Sequence, residues 1–244
     1  MVLALIQARL GSSRLPGKSA LPLPLSAMGP QHTILGHVVR RAQRATCVQQ
    51  VIVATTTQPL DTPLADLAAQ LGVGVFRGDE QDVLGRFAGA VTQAGDVDTV
   101  VRLTADNPAI DPAFIDAAVA HHLATKADYT YTNGLPLGTN IEIISAAALL
   151  RAHREATAPD EREHVTPYLR RRPELFQLET LALAVPTAVV KLRLTVDYPS
   201  DYALLSLLFS ELGHKFSLAD PAGLLALLAR YPWLADINAG NVQR

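Results

Sequence analysis

Ala4-Leu5-Ile6-Gln7-Ala8-Arg9-Leu10-Gly11-Ser12-Ser13-Arg14-Leu15-Pro16-Gly17-Lys18-Ser19 is the stretch from which the fold of this chain is read. The apolar run Val2 to Ile6 predicts a buried strand, and it empties into a loop that gathers Arg9, Arg14 and Lys18 around Gly11, Ser12, Ser13 and Gly17. Small residues let a backbone approach a ligand and turn its N–H groups inward, and three cations offset a polyanion. The loop is not a P-loop. That motif requires a glycine five residues before Gly17, where Ser12 stands, and it opens directly into a helix. Here Leu21-Pro22-Leu23-Pro24 follows, and alternating prolines favour extended backbone.

Strands and helices alternate outward from this point. Thr33 caps a helix carrying Ile34, Leu35, Val38, Val39 and Ala42, Gln50 to Thr55 reads as a second buried strand, and Asp61 with Pro63 opens a helix through Leu71. A short strand Val73 to Phe76, a helix near Glu80 to Ala94, a strand Thr99 to Thr104 and a helix from Asp111-Pro112 to about Leu123 continue the rhythm. Such alternation implies a parallel sheet with right-handed crossovers and helices on both faces. The rhythm then changes. Residues 128–132 and Ile141 to Ile144 read as consecutive strands with no helix between them, which predicts an antiparallel insertion, and Ser145 caps the next helix. Helices near 146–156 and 160–171 precede Phe176 to Ala184 and Val189 to Val196, which alternate like strands, and apolar helices near 200–212 and 218–230 follow.

Composition bounds the function. The chain has 244 residues, 49% hydrophobic and 18% charged, which describes a globular protein with a sizeable core, and no linker divides it, so one domain over 1–244 is expected. The segment 134–186 interrupts the parallel rhythm and is a candidate dimerisation or acceptor subdomain. A formal net charge of -2 argues against a nucleic-acid-binding surface and makes the N-terminal cations a local anion site. Cys47 is the only cysteine, so no intrachain disulfide forms, and an inert thiol on a helix is expected. The opening apolar run is broken by Gln7 and Arg9, too short for a signal or membrane segment, which points to the cytoplasm.

Ligands in open α/β sheets bind beyond the carboxyl ends of the parallel strands. Asp106, within Leu103-Thr104-Ala105-Asp106-Asn107-Pro108, and Asp197, within Thr195-Val196-Asp197-Tyr198-Pro199-Ser200-Asp201, follow two such predicted strands. Either could simply cap a turn or helix. Arg102, inside an apolar strand, implies a buried ion pair or a reach towards the anion site.

Gln7-Ala8-Arg9 followed by Gly11-Ser12-Ser13-Arg14-Leu15-Pro16-Gly17-Lys18 resembles the nucleotide-binding signature of the cytidylyltransferase family that activates ulosonic and sialic-acid-like sugars, and in particular its SpsF-like spore-coat polysaccharide members. The segments Arg77-Gly78-Asp79-Glu80 with Asp82 and Arg86, and Arg162-Glu163-His164-Val165-Thr166-Pro167-Tyr168, are similar to further signatures of those members. The bland part of the first is that Asp79 caps the following helix.

The resemblance implies a Rossmann-like three-layer α/β/α nucleotidyltransferase fold, mostly parallel with an antiparallel insertion. It further implies transfer of CMP from CTP to a small acidic acceptor with release of pyrophosphate, Mg²⁺ held by Asp106 and Asp197, and a homodimer. In that reading Lys18, Arg14, Asp106 and Asp197 are catalytic. Gln7, Ala8, Arg9, Gly11, Ser12, Ser13, Arg14, Lys18, Thr55 and Arg77 hold the nucleotide, with Thr56 beside Thr55, and Glu142 and His164 meet the acceptor. Ala105 stands where the family has glycine, and Tyr198-Pro199-Ser200 replaces Thr-Pro-Glu. The spacing of these residues does not itself select a base. Another triphosphate with a sugar phosphate or phosphonate acceptor, a non-catalytic nucleotide-binding module and a glycosyltransferase stay as alternatives, although the last would more typically show a close Asp-x-Asp metal pair, of which neither Asp106 nor Asp197 is part.

Overall fold

The structure, a computed structural model, describes residues 1–242. Its first strand, β1 (Val2–Gln7), lies at the centre of a sheet because both of its faces are apolar. Val2, Ala4 and Ile6 enter one core cluster, while Leu3 and Leu5 enter another. The helix α1 (Ile34–Arg44) is capped by Thr33, whose hydroxyl accepts from the Gly36 N–H. Next come β2 (Gln50–Thr56), α2 (Thr62–Gln70), β3 (Gly74–Gly78), α3 (Val83–Ala94), β4 (Thr99–Thr104) and α4 (Pro112–Thr125). They are followed by β5 (Tyr129–Asn133), β6 (Glu142–Ser145), α5 (Ala146–Glu155), α6 (Pro159–His164), α7 (Pro167–Arg170), β7 (Leu178–Ala182), α8 (Thr187–Val190), α9 (Pro199–Leu212) and α10 (Ala222–Arg230).

The seven strands form one sheet in the order β3-β2-β1-β4-β6-β5-β7. Within it β6 alone runs against its neighbours, pairing antiparallel with β4 and β5, while the other ladders are parallel. The expected antiparallel insertion is therefore this one strand, and the segment 134–186 contributes β6 and β7 to the sheet. Leu35, Val38, Leu64 and Ile115 cover one face, and Leu84, Phe87, Leu149 and Leu169 cover the other. A third cluster packs α9 and α10 against Leu192, Leu194 and Val196. Among the described residues no helix is long and apolar enough to cross a membrane.

Several local expectations are corrected. Residues 189–196 do not form a strand of the sheet: Thr187–Val190 is a helical turn, and the rest makes a single bridge, Leu137 to Arg193. The alternation is real but buries Leu192, Leu194 and Val196 against α9 and α10 instead of pairing them. The predicted helix 160–171 is broken at Val165, whose φ is 69°, because Pro167 has no N–H to give to the preceding turn and restricts the residue before it. Asp82, not Asp79, caps α3 by accepting from the Gly85 N–H, while Asp79 accepts from the N–H groups of Gln81 and Asp82 in the turn before it. Cys47 lies just beyond α1 rather than on it.

Candidate active site

The sheet delivers the signature loop to one edge. At the end of β1, Ala8 donates to the Ala54 carbonyl, and the Leu10 N–H donates at 2.7 Å to Asp61. Asp61 is thus not the side-chain cap of α2. Its buried carboxylate anchors the loop instead, accepting also from the Thr56 hydroxyl. Gly17 then turns the chain with φ of 69°, a conformation that suits glycine, and donates to the Leu10 carbonyl. The loop so formed lines a cavity of about 360 Å³ with Gln7, Ala8, Arg9, Gly11, Ser12, Ser13, Arg14 and Lys18, and Asp106 and Asp197 complete the wall.

The two aspartates, 91 positions apart in sequence, share one cation. Lys18 Nζ donates to Asp106 Oδ2 at 2.7 Å, to Asp197 Oδ1 at 3.0 Å and to the Val196 carbonyl at 2.7 Å. Backbone geometry brings them together, because the Val196 N–H donates to the Asp106 carbonyl at 2.9 Å. Neither aspartate is spent as a helix cap. Asp106 Oδ1 accepts from the Thr104 hydroxyl, and Asp197 also accepts from Arg14 and Arg193. The cap of α9 is supplied by Asp201, which accepts from the N–H groups of Asp197 and Tyr198, each at 2.9 Å.

Behind Asp197 stands a network not foreseen from sequence. Arg193 donates from Nη2 to Asp197 at 2.8 Å and from Nε to the fully buried Asp201 at 3.0 Å. Asn238 and Asn241 also donate to Asp201, at 2.9 and 2.7 Å. Burial alone pushes the Asp201 carboxyl up, but the donated N–H groups of Asp197 and Tyr198, with Asn241 and Arg193, hold it below the usual carboxylate range. The signal for Arg193 was present in the sequence. Alternation that buries Leu192, Leu194 and Val196 puts Arg193, Thr195 and Asp197 on the opposite side.

A second cavity of about 440 Å³ adjoins the first and shares Arg14, Asp106, Asp197 and His164 with it. Arg102 on β4 and Glu142 on β6, its cross-strand partner, line the floor of this cavity as an ion pair. Arg102 also donates at 3.1 Å to Gln7 on β1, which lines the first cavity. Glu142 is buried and accepts from the Tyr129 and Thr166 hydroxyls at 2.6 and 3.1 Å. Burial by itself pushes its carboxyl up, but Arg102, Tyr129 and Thr166 together bring it below the usual range. Gly138 closes this cavity where a side chain has no room: a Cβ there would lie 2.6 Å from the Thr195 nitrogen.

Three predicted nucleotide contacts are not brought to either cavity. Thr55 and Thr56 are fully buried in β2. Arg77 turns away to the carbonyls of Thr56 and Gln58, at 2.8 and 2.9 Å, and to the Thr62 hydroxyl, because those groups at the end of β2 lack a sheet partner. Arg86, buried on α3, lines the first cavity instead, as do Glu80 and Glu163.

The position of Lys18 Nζ, ringed by two carboxylate oxygens and a carbonyl, tests whether the residues suit a divalent cation. Hard oxygen donors in this number suit Mg²⁺, which takes one or two carboxylates and completes its shell with water and phosphate. Among the described residues no cluster of three or more His, Cys, Asp or Glu side chains forms an all-protein metal cage. The set fits an ion that shares its ligands with a substrate.

A cationic glycine-containing loop facing two carboxylates at the ends of a mostly parallel Rossmann-like sheet defines a nucleotidyltransferase class of enzyme. Within that class the cytidylyltransferase family model matches residues 3–208, and the chain belongs to this family. It is 33% identical over 236 residues to the spore coat polysaccharide biosynthesis protein SpsF of Bacillus subtilis, covering 95% of each chain. It is also 36% identical over 121 residues to a 3-deoxy-manno-octulosonate cytidylyltransferase of Syntrophotalea carbinolica, covering 49% of this chain and 44% of that one. A solved cytidylyltransferase structure from Leptospira borgpetersenii superposes with a TM-score of 0.85 at 31% identity, covering 100% of this chain and 98% of the other. Asn238 and Asn241 lie beyond the matched span, so the family pattern does not reveal their hold on Asp201.

Proposed function

We propose that this enzyme transfers CMP from CTP to a hydroxyl of an acidic sugar, dependent on Mg²⁺ bound through Asp106 and Asp197. The observation that carries the reading is the meeting of both carboxylates and Lys18 at the junction of the two cavities. The acceptor hydroxyl oxygen attacks the α-phosphorus and gives up its proton to solvent, the bond from that phosphorus to the bridging oxygen breaks, and pyrophosphate leaves with the electron pair. When bound, the metal neutralises charge on the transferring phosphate and lowers the pKa of an oxygen bound to it. In this reading Arg9, Arg14 and the N–H groups around Gly11 to Ser13 hold the β- and γ-phosphates. Lys18 exchanges its carboxylate partners for the leaving pyrophosphate, where charge develops. Gln7 and Ala8 border the space for the base, and Arg102 fixes the Gln7 side chain.

The acceptor enters the second cavity. Glu142, already accepting from three side chains, acts there chiefly by holding Arg102, while His164 faces the acid group. The supply of charge and in-line geometry is sufficient for this chemistry, since no covalent intermediate is required. By resemblance the enzyme works as a single-domain protomer of a homodimer in the cytoplasm. Pyrophosphate release, measured with each of the four common triphosphates against a panel of acidic sugars, amino-sugar derivatives, sugar phosphates and phosphonates, tests the reading. CTP with an acidic sugar should be turned over, and preference for another triphosphate with a sugar phosphate would overturn it.

A further inference from the structure

A third cavity, of about 400 Å³, shares no lining residue with the two described above. It is bordered by α1, the end of α9 and the turn after α9. Its polar wall consists of Arg40, Arg41, Arg44, His32, His37 and His214, with no carboxylate. None of the three arginines makes a salt bridge among the described residues.

The cations are held in place by neutral groups, which leaves their charge uncompensated. Arg41 donates to the Ile110 and Phe216 carbonyls at 3.0 and 2.8 Å and lies over the Phe209 and Phe216 rings. The nearest acid acting on Arg41, Asp111, is occupied by Ser217 and by the N–H groups of Ala113, Leu218 and Ala219. His37 Nε2 lies 2.6 Å from the Leu23 carbonyl and must donate to it, so Nδ1 is left as the acceptor for Arg40 Nη2 at 3.2 Å. Burial first, and then Arg40 and Arg41, hold the His37 pKa down to about 4, so this ring is neutral. Arg40 Nε is buried without a partner. A buried unsatisfied donor beside like charges is costly unless a ligand supplies the acceptor.

Donors that converge from three chain segments, at His32, at Arg40 with Arg44, and at His214, suit an anion whose oxygens point in several directions. A phosphoryl group has that geometry and charge, whereas a planar carboxylate meets one fork at a time. The volume exceeds that of a bare phosphate and leaves room for an attached polar body. We propose that this cavity is a second anion site, distinct from the catalytic one, that takes a phosphate-bearing small molecule through Arg40 and Arg44 with His32 and His214.

Calorimetric titration of the full chain with inorganic phosphate, pyrophosphate and CMP tests this. The comparison variants are Arg40→Ala/Arg44→Ala, the exposed-position variant Arg44→Glu, and Lys18→Met, which weakens phosphate binding at the catalytic cavity. The expected result is a site retained in Lys18→Met and weakened at least tenfold in both arginine variants, with circular dichroism and CTP turnover unchanged in them. CMP tighter than inorganic phosphate would identify a ligand with a nucleoside or sugar body, and equal affinities would identify the free anion. Phosphate-class binding of wild-type stoichiometry and affinity in the arginine variants would overturn the proposal, as would absence of any binding in Lys18→Met. Should the double variant not fold, Arg44→Glu decides alone.

Discussion

Replacing Lys18 by methionine removes the one ammonium that both catalytic aspartates share and leaves their oxygens facing each other. Breaking a buried ion pair costs roughly 3–5 kcal/mol because the remaining charge is stranded. Here the cost is smaller. The Asp106 side chain is 27% exposed, and Asp197 keeps Arg14 and Arg193. A loss of about 2 kcal/mol follows once solvent screening is allowed for, equivalent to a melting temperature lower by roughly 4–8 °C in a chain of this size. Mg²⁺ should stabilise the variant more than the wild type, since the ion then meets the two carboxylates with no ammonium competing for them. Turnover of CTP should fall by about 10²–10³, as on removal of a preorganised group at a site of developing charge. Thermal unfolding with and without Mg²⁺, paired with pyrophosphate release, reads all three effects. A variant as stable as wild type, or Mg²⁺ stabilising the wild type more, would refute the shared-cation argument.

Other outcomes follow from the same geometry. Arg193→Met should lower kcat more than it raises the KM for CTP, because it frees Asp197 without touching the nucleotide, and should cost about 3 kcal/mol in urea unfolding, since Asp201 is fully buried. Unchanged kcat would remove Arg193 as a positioning residue. Acid should destabilise the fold through Asp111 and Glu142. In each, burial raises the carboxyl pKa but is outweighed by donated hydrogen bonds, with Arg102 added for Glu142, so the folded pKa lies below the ordinary value of 3.8 or 4.5. Their stabilisation is therefore complete above those values and lost as pH falls through the depressed ones. Asp111→Asn should accordingly flatten the acid limb of a stability–pH profile. The Cys47 thiol is pushed up to about 12 by burial and by Asp116, so iodoacetamide at pH 8 should label native protein far more slowly than unfolded protein. Equal rates would contradict the described environment.

The parallel half of the sheet was legible because its strands are apolar on both faces and separated by capped helices, as Thr33 and Asp111 show. Beyond residue 133 local signals compete. Val189 to Val196 has the period of a strand, yet tertiary packing against α9 and α10 uses that period without a ladder. The N-terminal loop and the two aspartates were readable as residue types at strand ends. Their meeting was implied by the family resemblance and not by spacing, because it depends on a backbone bond between Val196 and Asp106 across two distant segments. Arg77 shows the opposite failure. A charged residue at a strand end suggests a ligand contact, but orphaned carbonyls after β2 claim it first.

The central claim is that Asp106 and Asp197 jointly serve cytidylyl transfer. Its most direct measurement is pyrophosphate release from CTP by Asp106→Asn and Asp197→Asn at saturating Mg²⁺, with circular dichroism establishing that each variant is folded. Both should lose turnover at least a thousandfold, and the wild type should stop when a chelator is added. Full turnover by either folded variant, or by wild type in excess chelator, would contradict the account.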